Sequence, residues 1–121
     1  MTKNKYMVSV IIPSANNFID IEKCINALLV QTFTPSEIIV IDSFGLGGYD
    51  KKQLQARCKS FCTLHIISHS ERINPGAARN LGVEKVSGDY IAFIDVLTIP
   101  RLNWLDEYLK LLNTGEMVDI I

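Results

Sequence analysis

Apolar blocks alternate with polar ones along the chain, and the apolar period switches from block to block. Met7-Val-Ser-Val-Ile-Ile12 is almost unbroken, β-branched, and stops at Pro13. That predicts a strand buried on both faces, as in a parallel sheet. Ile21, Cys24, Ile25, Leu28 and Leu29 then recur at helical spacing, with Asp20 placed to cap the helix and its end near Gln31. Glu37-Ile-Ile-Val-Ile41 is a second strand, ending at Asp42, and Gly45, Gly47 and Gly48 form a loop after it. Asp50 is placed to cap a second helix running to about Phe61, with Leu54 and Cys58 on one face. Leu64-His-Ile-Ile67 reads as a third, shorter strand, followed by a polar loop from Ser68 to Gly76. A helix from Ala77 to Val86 is stopped by Ser87-Gly88, and Asp89-Tyr-Ile-Ala-Phe-Ile94 is a fourth strand ending at Asp95. Leu102 to Leu112 closes the pattern as a helix with Leu105, Leu109 and Leu112 inward, and Met117 to Ile121 begins a fifth strand.

Strand and helix in strict alternation require a mostly parallel sheet with right-handed crossovers. The expected fold class is α/β, a Rossmann-like three-layer α/β/α arrangement. The 121 residues form one domain, with no repeat and no linker. Because the chain stops inside an apolar strand, it reads as the N-terminal portion of a longer domain.

Composition narrows the partners. A net charge of -1 without a basic stripe gives no footprint for nucleic acid and no polybasic membrane patch. Apolar runs reach about six residues against the roughly 20 that span a bilayer, so this segment holds no membrane span. Cys24, Cys58 and Cys62 form no Cys-x-x-Cys pair, and His65 and His69 lack zinc-site spacing. Reduced thiols fit a cytoplasmic protein.

In open parallel sheets ligands bind beyond the carboxyl ends of the strands. The polar segments at such ends are Pro13-Ser-Ala-Asn16, Asp42-Ser43, Ser68 to Arg72, and Asp95 with its successors. Asp42 and Asp95 directly follow apolar strands. A carboxylate there needs a partner, which is a ligand donor, a metal or simply a helix N-terminus. In Asn74-Pro-Gly-Ala-Ala-Arg-Asn80 a helix start is combined with Arg79 and Asn80 in its first turn, an arrangement suited to an anion such as diphosphate. The competing account pairs Arg79 with a surface carboxylate and lets Asn80 brace the loop. Other chemistries find no support. Gly45-Leu-Gly-Gly48 fails the dinucleotide spacing and lacks the Lys-Ser/Thr of a phosphate loop, and no serine sits in a Gly-x-Ser-x-Gly elbow.

Val8-Ser-Val-Ile-Ile-Pro-Ser14, Gln31-Thr-Phe33, Glu37-Ile-Ile-Val-Ile-Asp42, Asn74-Pro-Gly-Ala-Ala-Arg-Asn-Leu-Gly82 and Gly88-Asp-Tyr-Ile-Ala-Phe-Ile-Asp95 occur in that order. Together they resemble the nucleotide-sugar-binding N-terminal half of family 2 glycosyltransferases, of GT-A fold. The resemblance implies a UDP- or GDP-linked sugar donor and transfer with inversion to a saccharide or lipid-linked acceptor in cell-surface polysaccharide synthesis. It also implies Mg²⁺ or Mn²⁺ held by an Asp-x-Asp motif, and an acceptor-side base in the second half, so that this segment alone is inactive. Carried over by position, Pro13 and Ser14 line the nucleoside pocket, and Asn16 is a further substrate-binding candidate. Asp42 and Ser43 lie near the base or ribose, Arg79 and Asn80 shape the diphosphate side, and Asp95 opens the metal motif. The sequence departs from the family at Ala15, where an aromatic residue is usual, at Ser43, where a second aspartate is usual, and in Asp95-Val-Leu-Thr98, where Leu97 replaces the second Asp. Leu97 has no ligand atom. The alternative expectation is therefore a catalytically degenerate, glycosyltransferase-like binding module.

Overall fold

In the computed structural model, residues 7–15, 17–43, 45–69 and 71–113 are described. The elements alternate as expected: β1 (Val8–Ser14), α1 (Phe18–Leu29), β2 (Glu37–Asp42), α2 (Gly48–Cys58), β3 (Thr63–Ser68), α3 (Pro75–Val83), β4 (Tyr90–Phe93) and α4 (Trp104–Asn113). The strands form one sheet in the order β3-β2-β1-β4, and every neighbouring pair is parallel. The chain steps outward from β1 to β3, then returns to lay β4 on the other side of β1. This reversal puts the topological switch point between β1 and β4.

Handedness then fixes the layers. Right-handed outward crossovers place α1 and α2 on one face, and the return crossover places α3 on the other. Val8, Val10, Ile12, Ile38 and Val40 pack with Ile21, Cys24, Ile25 and Leu28 of α1, Leu54 and Cys58 of α2, and Leu105 and Leu109 of α4. The intervening Ile11, Ile39 and Ile41 pack with Ala78 and Leu81 of α3. Each central strand feeds both cores, which explains runs of apolar residues without alternation. Gly82 lets α3 come close, since a Cβ there would lie 2.6 Å from Ile11 Cγ2.

The three-layer α/β/α reading holds, and the corrections fall at element boundaries: α2 ends at Cys58 rather than near Phe61, α3 at Val83 rather than Val86, and β4 spans Tyr90–Phe93 rather than Asp89 to Ile94. Asn17, not Asp20, caps α1, its Oδ1 accepting the Asp20 N–H at 3.2 Å. Gly47, not Asp50, precedes α2, and both aspartates sit within first turns, where a negative charge favours the helix dipole. The third helix begins at Pro75, not Ala77, because Asn74 Oδ1 accepts the Ala77 N–H at 2.8 Å and Pro75 fits the first helical position. The expected fifth strand at Met117 to Ile121, Asn16 and the side chain of Leu112 lie outside the described residues. Among the described residues no helix is long and apolar enough to cross a membrane.

Candidate functional site

The carboxyl ends of the strands open onto a cleft of about 500 Å³ at the switch point. Pro13, Ser14 and Ala15 leave β1 along one wall, and Ser43 follows β2. Arg72, Ile73, Asn74, Pro75 and Ala78 approach from the loop before α3 and its first turns. Asp95, Val96 and Leu97 come from beyond β4. The parallel register makes this convergence: Ser14, Asp42 and Ser68 lie side by side, so the loops after β1, β2 and β3 leave at one level.

Of the expected site residues, Pro13, Ser14, Ser43 and Asp95 face the cleft. Asp42 does not. Its carboxylate is fully buried and accepts the N–H of Gly45 at 3.2 Å, the N–H of Leu46 at 2.6 Å and the hydroxyl of Ser68 at 3.0 Å. It follows Val40 on the α1/α2 face, and there it folds the loop that presents Ser43. Gly45 supplies the positive φ of 87° that turns the loop's amides back onto that carboxylate. Ser43 in turn fixes the cleft's far wall, accepting the Ile73 N–H on its Oγ at 3.5 Å.

Arg79 and Asn80 also fall elsewhere. The earlier start of α3 moves both into its second turn, where they are exposed and line no part of the cleft. The Arg79 guanidinium lies over the Phe93 ring, 5.9 Å from its centroid. The cation that does reach the cleft is Arg72, together with Asn74 and Pro75. Sequence reasoning placed Arg72 only in a polar loop at a strand end. The signal was its position just before a helix cap, visible once Asn74 rather than a later residue is taken as that cap.

Asp95 heads a tight turn. Its Oδ1 accepts the Leu97 N–H at 2.8 Å, and its carbonyl accepts the Thr98 N–H at 2.9 Å. Leu97 points outward, 66% exposed. Asp95 is the one carboxylate on the cleft among the described residues, and no three His, Cys, Asp or Glu side chains gather there to hold a metal ion. Divalent cations in such sites take several oxygen ligands, of which protein carboxylates supply one or two and substrate phosphates others. With one oxygen of Asp95 engaged and Leu97 beside it, the donor set among the described residues falls short of a resident cation.

Gln31, from the Gln31-Thr-Phe33 segment, acts at a distance from the cleft. Its buried amide donates from Nε2 to the Arg101 carbonyl and accepts the Leu105 N–H on Oε1 at 3.1 Å, while Thr32 N–H donates to the Leu102 carbonyl at 2.8 Å. The amide thus caps the start of α4 and anchors the loop that returns from Asp95. Gln31→Ala strands a buried N–H and a carbonyl, and we expect it to lower stability by about 2 kcal/mol. An unchanged urea midpoint would show that these bonds contribute nothing.

The cysteines are all free. Burial, with the charge of Asp95 adding, pushes the Cys24 thiol up to about 12, so it packs as a neutral core group. Cys58 and Cys62 share a hydrogen bond that lowers the first thiol's pKa and raises the second's.

The sequence matches the profile of Glycosyl transferase family 2 across residues 9–120. It is 34% identical over 123 residues to the glycosyltransferase AglE of Haloferax volcanii, covering 100% of this chain and 40% of that protein. A Bacillus subtilis protein assigned, as TuaG, to teichuronic acid biosynthesis is 34% identical over 95 residues, 78% of this chain and 37% of its own length. The fold is similar to the mannosyltransferase PcManGT of Pyrobaculum calidifontis, solved with GDP-Man and Mn²⁺, at a TM-score of 0.75 and 21% identity over 88% of this chain and 32% of that one. It is likewise similar to residues 1–349 of S. aureus TarS in complex with UDP, at a TM-score of 0.73 and 21% identity, covering 89% of this chain and 32% of that one. The chain therefore spans well under half the length of these relatives.

Proposed function

The chain belongs to glycosyl transferase family 2, and on that premise we propose that its cleft is the donor site of an inverting glycosyltransferase. The donor is a nucleotide-diphosphate sugar, UDP- or GDP-linked, and the acceptor a saccharide or lipid-linked saccharide in cell-surface polysaccharide synthesis. The protein acts in the cytoplasm or at the inner face of the membrane. One observation carries this reading: the cleft of about 500 Å³ sits at the switch point of a parallel sheet and is walled by Pro13, Ser14, Ser43 and Arg72. Nucleotide ligands of the fold's neighbours support it, since those structures hold GDP-Man, UDP and UDP-GlcNAc.

In this role the loop ends after β1 and β2 receive the nucleoside, and the side bearing Arg72 and Asn74 receives the diphosphate. When the acceptor hydroxyl attacks the anomeric carbon, negative charge builds on the leaving nucleotide diphosphate, and a fixed cation beside it lowers the barrier. The base that takes the acceptor proton is contributed from outside this segment.

Isothermal titration of the chain with UDP and with GDP tests the donor site. Saturable binding of at least one is expected. Ala15 is exposed on the cleft wall at the loop end that receives the nucleoside, so Ala15→Glu puts a bulky charged side chain in the nucleoside's place without disturbing the core. We expect it to weaken binding tenfold or more, about 1.4 kcal/mol. Equal affinity in the variant, or no binding of either nucleotide, would overturn the reading.

The side chains of Ser43 and Leu97 favour a second reading, a binding module that no longer transfers sugar. Both readings share the donor site and part on turnover. Release of UDP or GDP from a nucleotide sugar by the natural protein, in the presence of acceptor, supports transfer, and saturable binding without release supports the module.

A further inference from the structure

We infer that this donor cleft neutralises the nucleotide's diphosphate with Arg72 in place of a divalent cation. The inference rests on the donor-site reading and deepens it. Two features of the cleft carry it, and both concern the chemistry of its side chains.

The first is the shortage of oxygen ligands. Asp95 supplies the one carboxylate on the cleft among the described residues, and the Leu97 N–H holds its Oδ1 at 2.8 Å. The neighbouring side chains on that wall are Val96 and Leu97, neither with a ligand atom. Ser43 and Ser14 present hydroxyls at best, and Ser43 Oγ already accepts the Ile73 N–H. Among the described residues, a cation seated here would find only the Asp95 carboxylate to join the phosphates.

The second feature is a cation already in place. Arg72 lines the cleft as Asp95 does, from the loop that approaches α3. A guanidinium presents its donors in a fixed fork that matches phosphate oxygens, and it carries its charge at every working pH. One Asp and one Arg leave the lining with no net side-chain charge. A diphosphate entering it meets a favourable partner before any metal is added. A metal ion arriving with the nucleotide would gain the single carboxylate and would meet repulsion from the guanidinium.

Titration of the full chain with UDP and GDP, once in EDTA and once in millimolar Mn²⁺, tests this. Affinity in the two buffers is expected to agree within about twofold. Arg72 is exposed, so its replacement leaves the core intact. Arg72→Ala is expected to weaken binding at least tenfold in EDTA, with partial recovery in Arg72→Lys. Leu97 is also exposed, and Leu97→Asp restores a second carboxylate beside Asp95. In that variant Mn²⁺ is expected to tighten binding tenfold or more, giving the metal response that the natural sequence lacks. Mn²⁺ tightening the natural chain by tenfold overturns the inference and leaves the donor site standing, as does full affinity in Arg72→Ala. Binding of neither nucleotide in either buffer removes the donor site, and the inference with it.

Discussion

Replacing Asp42 with alanine is expected to cost about 3 to 4 kcal/mol of folding stability, a large share of what a small domain has. The Asp42 carboxylate is fully buried and accepts from two backbone N–H groups and the Ser68 hydroxyl. An ionised group survives burial only with such partners, and bonds to it are stronger than neutral ones. Its removal leaves the buried Leu46 N–H, the Gly45 N–H and the Ser68 hydroxyl without an acceptor and opens a void between β2 and β3. The loop that presents Ser43 to the cleft loses its anchor at the same time, so nucleotide affinity should fall with stability. Asp42→Asn separates charge from shape. One amide position still accepts, but the other points N–H at N–H, and a loss of about 2 kcal/mol is expected. Chemical denaturation of the variants measures both values. A midpoint shift under about 0.5 kcal/mol for Asp42→Ala would refute the anchoring role.

Asp42 also shows where reading the sequence succeeds and where it fails. The layers were legible because Ile11, Ile39 and Ile41 alternate with Val10, Ile12, Ile38 and Val40 in unbroken runs, and a sheet buried on both faces needs that composition. Of the strand ends, that of β2 was legible at Asp42, whereas β1 runs one residue past Pro13 to Ser14 and β4 stops at Phe93, two residues before Asp95. Direction of a side chain at such an end was not legible. Asp42 and Ser43 are adjacent in sequence, yet Asp42 closes β2 and folds the following loop onto its carboxylate, while Ser43, the first residue beyond the strand, lines the cleft. The same limit moved Arg79 out of the site. A shift of two residues in the start of α3 carries its side chain about 200° around the helix, from the diphosphate side to the Phe93 ring. Asp95 lines the cleft, while the engagement of its Oδ1 with the Leu97 N–H is a turn geometry that no spacing reveals.

The segments that carry the family resemblance thus divide in two. Some face the cleft, and others hold the sheet together at a distance from it, as Gln31 and Gly82 do. Gly88 makes the second kind of claim testable. We expect Gly88→Ala to destabilise the chain by about 3 kcal/mol, from space rather than from backbone conformation. A Cβ at this position would lie 2.5 Å from Ser9 Oγ, 2.8 Å from the Met7 carbonyl oxygen and 3.1 Å from Ser9 N. Two of those atoms are backbone of the central strand's start and cannot step aside as a side-chain tip would. The Gly88 N–H donates to Ser9 Oγ at 3.0 Å, so the hydroxyl that would have to move is also bonded to the glycine. On either side the chain is pinned. The Ser87 N–H and hydroxyl donate to buried Glu37 Oε2, while Asp89 and Tyr90 N–H donate to the Met7 carbonyl at 2.7 and 3.1 Å. Relief of the clash must therefore draw β4 away from β1, breaking the pairing that creates the switch point. If Gly88→Ala unfolds at the natural urea concentration and binds nucleotide as the natural chain does, the close seating of β4 on β1 is not what shapes the cleft. If stability and binding fall together while Arg72→Ala loses binding alone, the two groups of residues are separated by experiment as they are by position.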